Sequence, residues 1–259
     1  MWAYESVFYQ IYPLGFVGAP FENDGVETHR ILKVLDWTDH IKKLGANAIY
    51  FSPVFESDTH GYNTRDYRKI DCRLGSNEDF KQVCDKLHSE GIRVVLDGVF
   101  NHAGRGFWAF QDVLKNRENS PYLNWFHINL GGNSNYNDGL WYEGWEGNYD
   151  LVKLNLQNEE VVQYLLESVR GWVDEFDIDG LISGAYFDGF GDISDGRENE
   201  RSSVSPCVEL IFSVNIGDGT HISLFLVVNR DIHQWLVGNR ISDYPFNLLR
   251  KSIGSYQYE

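Results

Sequence analysis

Positive charge is scarce in this chain. It carries 22 Lys and Arg against 38 Asp and Glu, which gives a formal net charge of −16 at pH 7. Binding a phosphate backbone requires clustered Lys and Arg, so we expect no nucleic-acid partner and a ligand that is neutral or cationic. Long apolar runs and a basic segment followed by an apolar one are also missing. We therefore expect neither a membrane span nor a secretory signal.

Cysteine is scarce as well. The three residues, Cys72, Cys84 and Cys207, are an odd number, lie far apart and form no Cys-x-x-Cys pair. This pattern favours reduced thiols in a cytoplasmic protein over a disulfide framework or a zinc site.

Apolar residues are plentiful, at 42% of 259 residues, which is enough to bury the core of one large α/β domain. Strand-like and helix-like segments alternate along the first two thirds of the chain. We predict strands over residues 6–16, 46–54, 93–100 and 177–181, and helices over residues 28–44, 76–91 and 159–176. Apolar strands that alternate with helices predict parallel pairing and a (β/α)8-type TIM barrel.

Two segments interrupt this alternation. Residues 103–150 are rich in Asn, Gly, Trp and Tyr with little helical or strand period, and we interpret them as a loop-rich subdomain inserted after strand three. Residues 1–102 and 151–259 would then form the barrel. After Leu181 we expect a loop over 184–205, strands over 208–214 and 221–228, and a helix over 244–253. Four further βα units need about 30 residues each, so the barrel is expected to be incomplete.

Polar clusters follow two of the predicted strands, at the end where barrel enzymes place their sites. Residues 59–67 come after strand two, and residues 97–102 begin at the end of strand three. Each cluster combines a carboxylate with aromatic or imidazole rings, which suits the stacking of a sugar and hydrogen bonding to its hydroxyls. The alternative interpretation of Asp97, from local sequence alone, is a helix cap or an ion-pair partner. The meeting of both clusters at one barrel face favours the binding role.

These residues resemble a known family. Asp97-x-x-x-Asn101-His102 is similar to the first conserved region of glycoside hydrolase family 13, the α-amylase family. Residues 8–13 resemble its first strand, residues 60–67 the loop with its sugar-stacking tyrosine, and residues 172–181 the approach to its fourth strand. Lys153-Leu154-Asn155 resembles the marker of the neopullulanase and cyclomaltodextrinase branch. The match extends over about residues 4–181.

The resemblance implies a barrel that acts on α-linked glucans. It implies that Tyr62 stacks the sugar in the cleavage subsite, that Asp97 and His102 bond its hydroxyls, and that Tyr12 lines the same subsite. No cofactor is implied. Asn101 corresponds to a residue that binds calcium in some members; the alternative is a side-chain bond that orders the loop.

The catalytic pattern departs from the family at the fourth strand. A retaining glycosidase needs two carboxyl groups roughly 5 Å apart, and the family carries its nucleophile in Gly-x-Arg-x-Asp. This chain has Ile182 at the arginine position and Gly184 at the nucleophile position. Asp188 lies four residues further, about 13 Å along a strand, and is better interpreted as a turn residue.

The general acid and the third carboxylate have no counterpart either. The segment nearest to strand five carries Asn229 instead of Glu, and an amide cannot donate the proton. Asp231 and His233 come too early for the family's His-Asp motif, and His233 is interpreted as a surface or packing residue. We therefore assign no catalytic residue. A shifted reading frame or a recombined gene after codon 181 would explain the joint loss.

Three hypotheses remain open. The first is an α-glucan hydrolase or transglycosylase for maltooligosaccharides, cyclodextrins or pullulan. The second is a truncated or frameshifted α-glucan-binding remnant without catalytic carboxylates. The third is an unrelated barrel enzyme that uses Asp97 and His102 as an acid–base pair. In each case an incomplete barrel exposes strand edges, so self-association is expected.

Overall fold

The computed structural model describes residues 2–183 and the backbone of two further strands, residues 209–215 and 221–227. The strands are β1 (Phe8–Ile11), β2 (Ala48–Phe51), β3 (Phe55–Ser57), β4 (Thr64–Ile70), β5 (Arg93–Asp97), β6 (His102–Gly104), β7 (Ile128–Asn129), β8 (Trp141–Tyr142), β9 (Gly144–Trp145), β10 (Asn148–Lys153), β11 (Gly180–Ser183), β12 (Glu209–Asn215) and β13 (His221–Val227). The helices are α1 (Pro13–Val17), α2 (Thr38–Lys43), α3 (Asn77–Ser89), α4 (Trp108–Asn116) and α5 (Glu159–Phe176). Short 3-10 helices span Trp2–Glu5, Arg30–Trp37, Arg117–Asn119 and Leu123–Trp125.

Four parallel strands form the centre of the molecule in the order β1–β2–β5–β11. One row of paired residues crosses all four strands at Ile11, Phe51, Leu96 and Leu181, and each of these side chains is buried. Burial across the whole row is typical of parallel strands that are covered by helices. This arrangement is the first half of a (β/α)8 barrel, so the predicted fold class is confirmed.

Beyond β11 the sheet continues differently. β12 pairs antiparallel with β11, and β13 pairs antiparallel with β12, whereas every strand of a (β/α)8 barrel is parallel to its neighbours. Within the described residues the sheet does not close, which agrees with the prediction of an incomplete barrel. The predicted helix over 244–253, together with Gly184, Asp188, Asn229, Asp231, His233 and Cys207, lies outside the described residues.

Two predicted elements have other bounds. The strand over 6–16 ends at Ile11, because Pro13 begins α1 at a position where its missing N–H costs nothing, and Gly18 ends that helix with φ 69°. The helix over 28–44 consists of the 3-10 helix Arg30–Trp37 followed by α2. Both differences arise from short-range backbone geometry that the apolar spacing does not report.

The two long helices form as predicted. A capping box begins α3, since the Ser76 hydroxyl accepts from the Asp79 backbone N–H and the Asp79 carboxylate accepts in return from the Ser76 N–H. α5 spans Glu159–Phe176. On this helix Val161 is buried, whereas Val162 is half-buried and Leu166 is 38% exposed.

The segment 103–150 has more regular structure than its sequence predicted. It contains α4, whose buried side is Ala109, Phe110 and Val113. It also contributes to the three-stranded sheet β6–β10–β9 and to the hairpin β7–β8. Because β10 pairs with β6 from Leu151↔Gly104 to Lys153↔His102, the segment is joined directly to the end of the third barrel strand. The division into barrel and inserted subdomain stays a prediction.

A buried ion pair fixes the loops beside the sheet. Arg73 is fully buried and donates to both Asp71 carboxylate oxygens at 2.8 and 2.7 Å, to the Ser57 hydroxyl, and to the carbonyls of Pro20 and Phe21. Cys72 and Cys84 are buried free thiols. None of the described helices has the length and apolar character needed to cross a membrane.

Candidate functional site

A pocket of about 550 Å³ lies at the carboxyl ends of β2 and β5. One wall comes from the barrel, through Asp97 with the segment 98–101 and through His60 and Tyr62 on the β3–β4 loop. The opposite wall comes from the segment 103–150. The pocket therefore forms where barrel enzymes place their chemistry.

Asp97 is the last residue of β5 and is 8% exposed. Its Oδ2 accepts a hydrogen bond of 2.6 Å from the Tyr50 hydroxyl. Across the sheet its partner is Ile182, whose carbonyl accepts from the Gly98 N–H at 2.7 Å. The carboxylate therefore lies in the wall of the pocket. The residue paired with Asp97 on the neighbouring strand is an isoleucine, where the family pattern has an arginine.

Tyr62 lines the same pocket from the β3–β4 loop. Gly61 precedes it with φ 95°, and a Cβ there would come within 3.3 Å of the Pro53 side chain, so the turn needs glycine. Burial, and to a smaller extent the charge of Asp97 and a hydrogen bond to Asp97, raise the pKa of Tyr62 to about 12. The phenol stays protonated at neutral pH, and its ring lines the pocket.

His102 begins β6 and is 7% exposed. Its Nδ1 lies 3.3 Å from the Asn101 amide nitrogen, which assigns the remaining proton to Nε2, and Nε2 has no hydrogen-bond partner among the described residues. Burial lowers the pKa of His102 to about 4, against a smaller opposing contribution from the Tyr62 backbone. The Nε2 atom is shielded from solvent as well as unpaired. A buried polar atom without a partner is costly, so a hydrogen bond from this neutral N–H to a ligand oxygen would lower that cost.

Tyr12 lies just outside these residues. It is the N-cap residue of α1, is 42% exposed and is not among the residues that line the pocket. Its hydroxyl donates to the His60 carbonyl at 3.2 Å, and the His60 Nδ1 accepts from the Tyr62 N–H at 3.2 Å. The structure thus brings Tyr62, Asp97 and His102 to one pocket and places Tyr12 behind the loop that carries Tyr62.

The sequence reasoning missed the second wall. Trp145, Asn148 and Asp150 line the pocket from this second side, and the Asp150 Oδ2 lies 3.6 Å from the Nε2 of His60 on the barrel wall. The turn residues Glu146 and Gly147 between β9 and β10 have φ 48° and 82°. A hairpin could have been inferred from this glycine turn between aromatic residues, but its position over the barrel could not.

Two places in the described structure bear on calcium binding: Asn101 and a cluster of three potential ligands. The Asn101 amide bonds the His102 ring, which is the loop-ordering role. Among the described residues the one cluster of three potential metal ligands is Glu56, Asp71 and Cys72. Arg73 occupies both oxygens of Asp71, so the cluster is neutralised by an arginine rather than arranged for a cation. Calcium at Asn101 stays a prediction.

The chain is a member of the α-amylase family of glycoside hydrolases. The family model "Alpha amylase, catalytic domain" matches residues 10–183, which confirms the resemblance that the motifs indicated. The third hypothesis, an unrelated barrel enzyme, is therefore wrong.

Individual relatives give a narrower comparison. A cyclomaltodextrinase of Bacillus sp. is 39% identical over 195 residues, covering 69% of this chain and 35% of the relative. An intracellular maltogenic amylase of Bacillus subtilis is 36% identical over 195 residues, covering 69% and 32%. The structure of a cyclic alpha-maltosyl-(1→6)-maltose hydrolase from Arthrobacter globiformis, in complex with cyclic alpha-maltosyl-(1→6)-maltose, matches with TM-score 0.59 and 36% identity over 70% of this chain and 44% of that one. The chain spans about a third of the length of the curated relatives it matches.

Proposed function

We propose that this chain acts on neutral oligosaccharides of α-linked glucose, and that its pocket binds one glucosyl unit at the cleavage subsite. One observation carries the proposal: the protonated phenol of Tyr62, the Asp97 carboxylate and the neutral imidazole of His102 line a single pocket at the barrel's carboxyl end. The substrates named for the relatives belong to the same class.

Each group has a distinct part in binding. The Asp97 carboxylate accepts from sugar hydroxyls, the neutral His102 donates through Nε2, and the ring of Tyr62 stacks against the apolar face of the sugar. Tyr12 does not line the pocket, and in this proposal it supports the subsite through the hydrogen bond from its hydroxyl to the His60 carbonyl. Aspartate and imidazole together suit a polyol rather than an anion, which agrees with the net charge of −16.

Hydrolysis in this family proceeds through a carboxylate nucleophile and a carboxylic acid. A second candidate function, binding without turnover, is supported by the residue beside Asp97, which is Ile182 where the family pattern has arginine, and by Gly184 two residues further on. An apolar side chain at this point supplies no charge with which to orient a nucleophile.

One experiment tests both candidates. The purified chain is titrated calorimetrically with maltotriose and β-cyclodextrin, and the same mixtures are assayed for reducing sugar. Binding with release of sugar supports the hydrolase, and binding without release supports the remnant. Asp97→Asn should weaken binding by about tenfold or more, because charge-assisted hydrogen bonds are lost. A wild-type chain that binds neither sugar would overturn the proposal.

The origin of the departure at strand four has its own test. We propose a reading-frame shift or recombination after codon 181, because the nucleophile, acid and arginine patterns all fail beyond that point. Translating the other two frames of the encoding DNA should then reveal an Arg-x-Asp motif. Its absence from both frames would argue for genuine divergence.

We also propose a cytoplasmic location. The support is the small number of cysteines, of which Cys72 and Cys84 are buried free thiols, and the likeness to a relative named as intracellular. Fractionation of the source cells with an antibody to the chain would test this location.

A further inference from the structure

The hairpin β9–β10 carries Trp145 to the pocket. Its two turn residues, Glu146 and Gly147, both have positive φ, which is typical of a type I′ turn and sets Trp145 opposite Asn148. In the sheet β6–β10–β9, Val152 pairs with Ala103 on one side and with Gly144 on the other. Trp145 is therefore held by strand register on β9, and β10 lies between this strand and β6, which begins with His102.

The indole lies against the imidazole. The ring centroids of Trp145 and His102 are 5.6 Å apart with an interplanar angle of 39°. His102 is buried at 7% exposure, whereas Trp145 remains 41% exposed although it lines the pocket. A large ring that is only half covered leaves apolar surface for a ligand beside the buried imidazole.

We infer that Trp145 is a sugar-stacking and specificity-determining residue of the pocket, with an α-linked glucan as its ligand. The inference rests on the proposed function, and it adds Trp145 to Tyr62 as a second aromatic residue that contacts the sugar. An indole has an apolar face and an N–H at its edge, so it matches the apolar face and equatorial hydroxyls of a pyranose ring. The sugar ring stacked on Trp145 lies beside the glucosyl unit that forms hydrogen bonds with His102 and Asp97. An oligosaccharide that supplies both rings is therefore bound more tightly than a single glucose.

The hairpin that carries Trp145 lies close to the loop that carries Tyr62. The His60 Nε2 lies 3.6 Å from the Asp150 Oδ2, and His60 also bonds the Tyr62 N–H. On the outer side of the hairpin, Lys153 donates to Glu143 at 2.8 Å. The Tyr62 loop and the Trp145 hairpin thus approach each other to 3.6 Å at His60 and Asp150, and both aromatic residues line the pocket.

The same segment contains a matched control. Trp141 is 38% exposed, close to the value for Trp145, and lies on β8. Its indole Nε1 donates to the Tyr149 hydroxyl at 3.1 Å, and it is not among the residues that line the pocket. Substituting Trp141 removes an equally exposed indole from the same segment without altering the pocket.

The test compares Trp145→Ala, Trp145→Phe and Trp141→Phe by calorimetry with glucose, maltotriose and β-cyclodextrin. We expect Trp145→Ala to weaken binding of the two oligosaccharides by about tenfold and Trp145→Phe by less, with Trp141→Phe unchanged. Tryptophan fluorescence gives a second readout. The change in emission on adding maltotriose should persist in Trp141→Phe and disappear in Trp145→Phe.

The outcomes separate this inference from the proposed function. A wild-type chain that binds no oligosaccharide counts against the proposed function itself. Wild-type binding with unchanged affinity in Trp145→Ala overturns the inference alone. Should Trp145→Ala unfold, the folded Trp145→Phe variant decides: a retained emission change on binding overturns the role of Trp145, and its loss supports it.

Discussion

At the scale of single residues, His102 links the binding pocket to folding stability. Its imidazole titrates near 6.5 in an unfolded chain, whereas burial lowers its pKa to about 4 in the folded protein. Between these values the unfolded state binds more protons, so stability falls as the pH falls from about 6.5 to 4 and this contribution is constant below 4. The loss reaches about 3 kcal/mol, at about 1.4 kcal/mol for each tenfold change in proton affinity.

Urea denaturation at pH 7.0 and pH 4.5 measures this loss. His102→Gln keeps a polar side chain that does not titrate, so the decrease in unfolding free energy between the two pH values should be smaller in this variant. Carboxylates titrate in both proteins and contribute equally to both. The decrease in unfolding free energy of the wild type, minus that of the variant, therefore measures the contribution of the His102 imidazole. Equal decreases in both proteins would contradict the assigned pKa.

Arg73 is a residue whose removal should be severe. It is fully buried and satisfies Asp71, Ser57 and two loop carbonyls at once. Arg73→Met leaves the Asp71 carboxylate buried without its counter-ion, and losing one partner of a buried pair costs about 3–5 kcal/mol. The control is Lys81→Met, which breaks an exposed pair with Asp85 and should hardly change the unfolding midpoint. Similar midpoints for the two variants would disprove the structural role of Arg73.

At the scale of elements, two glycines give opposite predictions for the same substitution. A Cβ on Gly144 would overlap the backbone carbonyl of Asn148 across the β9–β10 hairpin, whereas a Cβ on Gly171 in α5 meets nothing within 4 Å. Gly144→Ala should destabilise the protein by about 1–3 kcal/mol through overpacking. Gly171→Ala should stabilise it by about 0.5–1 kcal/mol, because alanine loses less backbone entropy in a helix.

Thermal melting of both variants checks the pair. Gly144→Ala should also weaken maltotriose binding, since Trp145 is the next residue, and Gly171→Ala should not. An unchanged melting temperature in Gly144→Ala would mean that the hairpin tolerates the added methyl group, and the close approach of the two strands would be refuted.

The elements that sequence predicted well are those in which local signals agree with packing. α5 has 18 residues with apolar spacing throughout, and α3 begins with a capping box, so both were found with correct types. α4 has nine residues and its three buried side chains lie among aromatic and polar neighbours, which hides the period. The 3-10 helix Arg30–Trp37 has the apolar spacing of an α-helix, and this spacing does not distinguish the two backbone geometries.

The residues of the candidate site also fall into two groups, those that the sequence predicts and those that it does not. Tyr62, Asp97 and His102 follow barrel strands, so a topological rule and the family motifs bring them together from sequence alone. Trp145 and Asp150 reach the pocket because β10 pairs with β6, a contact between residues 151–153 and 102–104. No local pattern specifies that register, so the second wall required the structure.

At the scale of the whole molecule, the net negative charge opposes self-association, whereas the exposed edge of the sheet favours it. The net charge of −16 makes copies of the chain repel at low ionic strength. Within the described residues β1 pairs only with β2, so its outer edge has no strand beside it, and Val7 and Phe8 are 55% and 37% exposed there. An exposed apolar strand edge favours pairing with another chain.

We therefore predict association that depends on protein concentration and becomes stronger as salt screens the repulsion, with a Debye length of about 30 Å at 0.01 M and about 8 Å at 0.15 M. Val7→Lys places a charge beside the open edge and should reduce association, measured by sedimentation velocity at both salt concentrations. Val26→Lys is the control, because Val26 is equally exposed, at 56%, on a segment outside the strands. Because both variants carry the same added charge, a smaller self-association in Val7→Lys than in Val26→Lys would locate the contact at β1. A wild-type chain that sediments as one monomeric species at every concentration and both salts would rule the edge out as an interface.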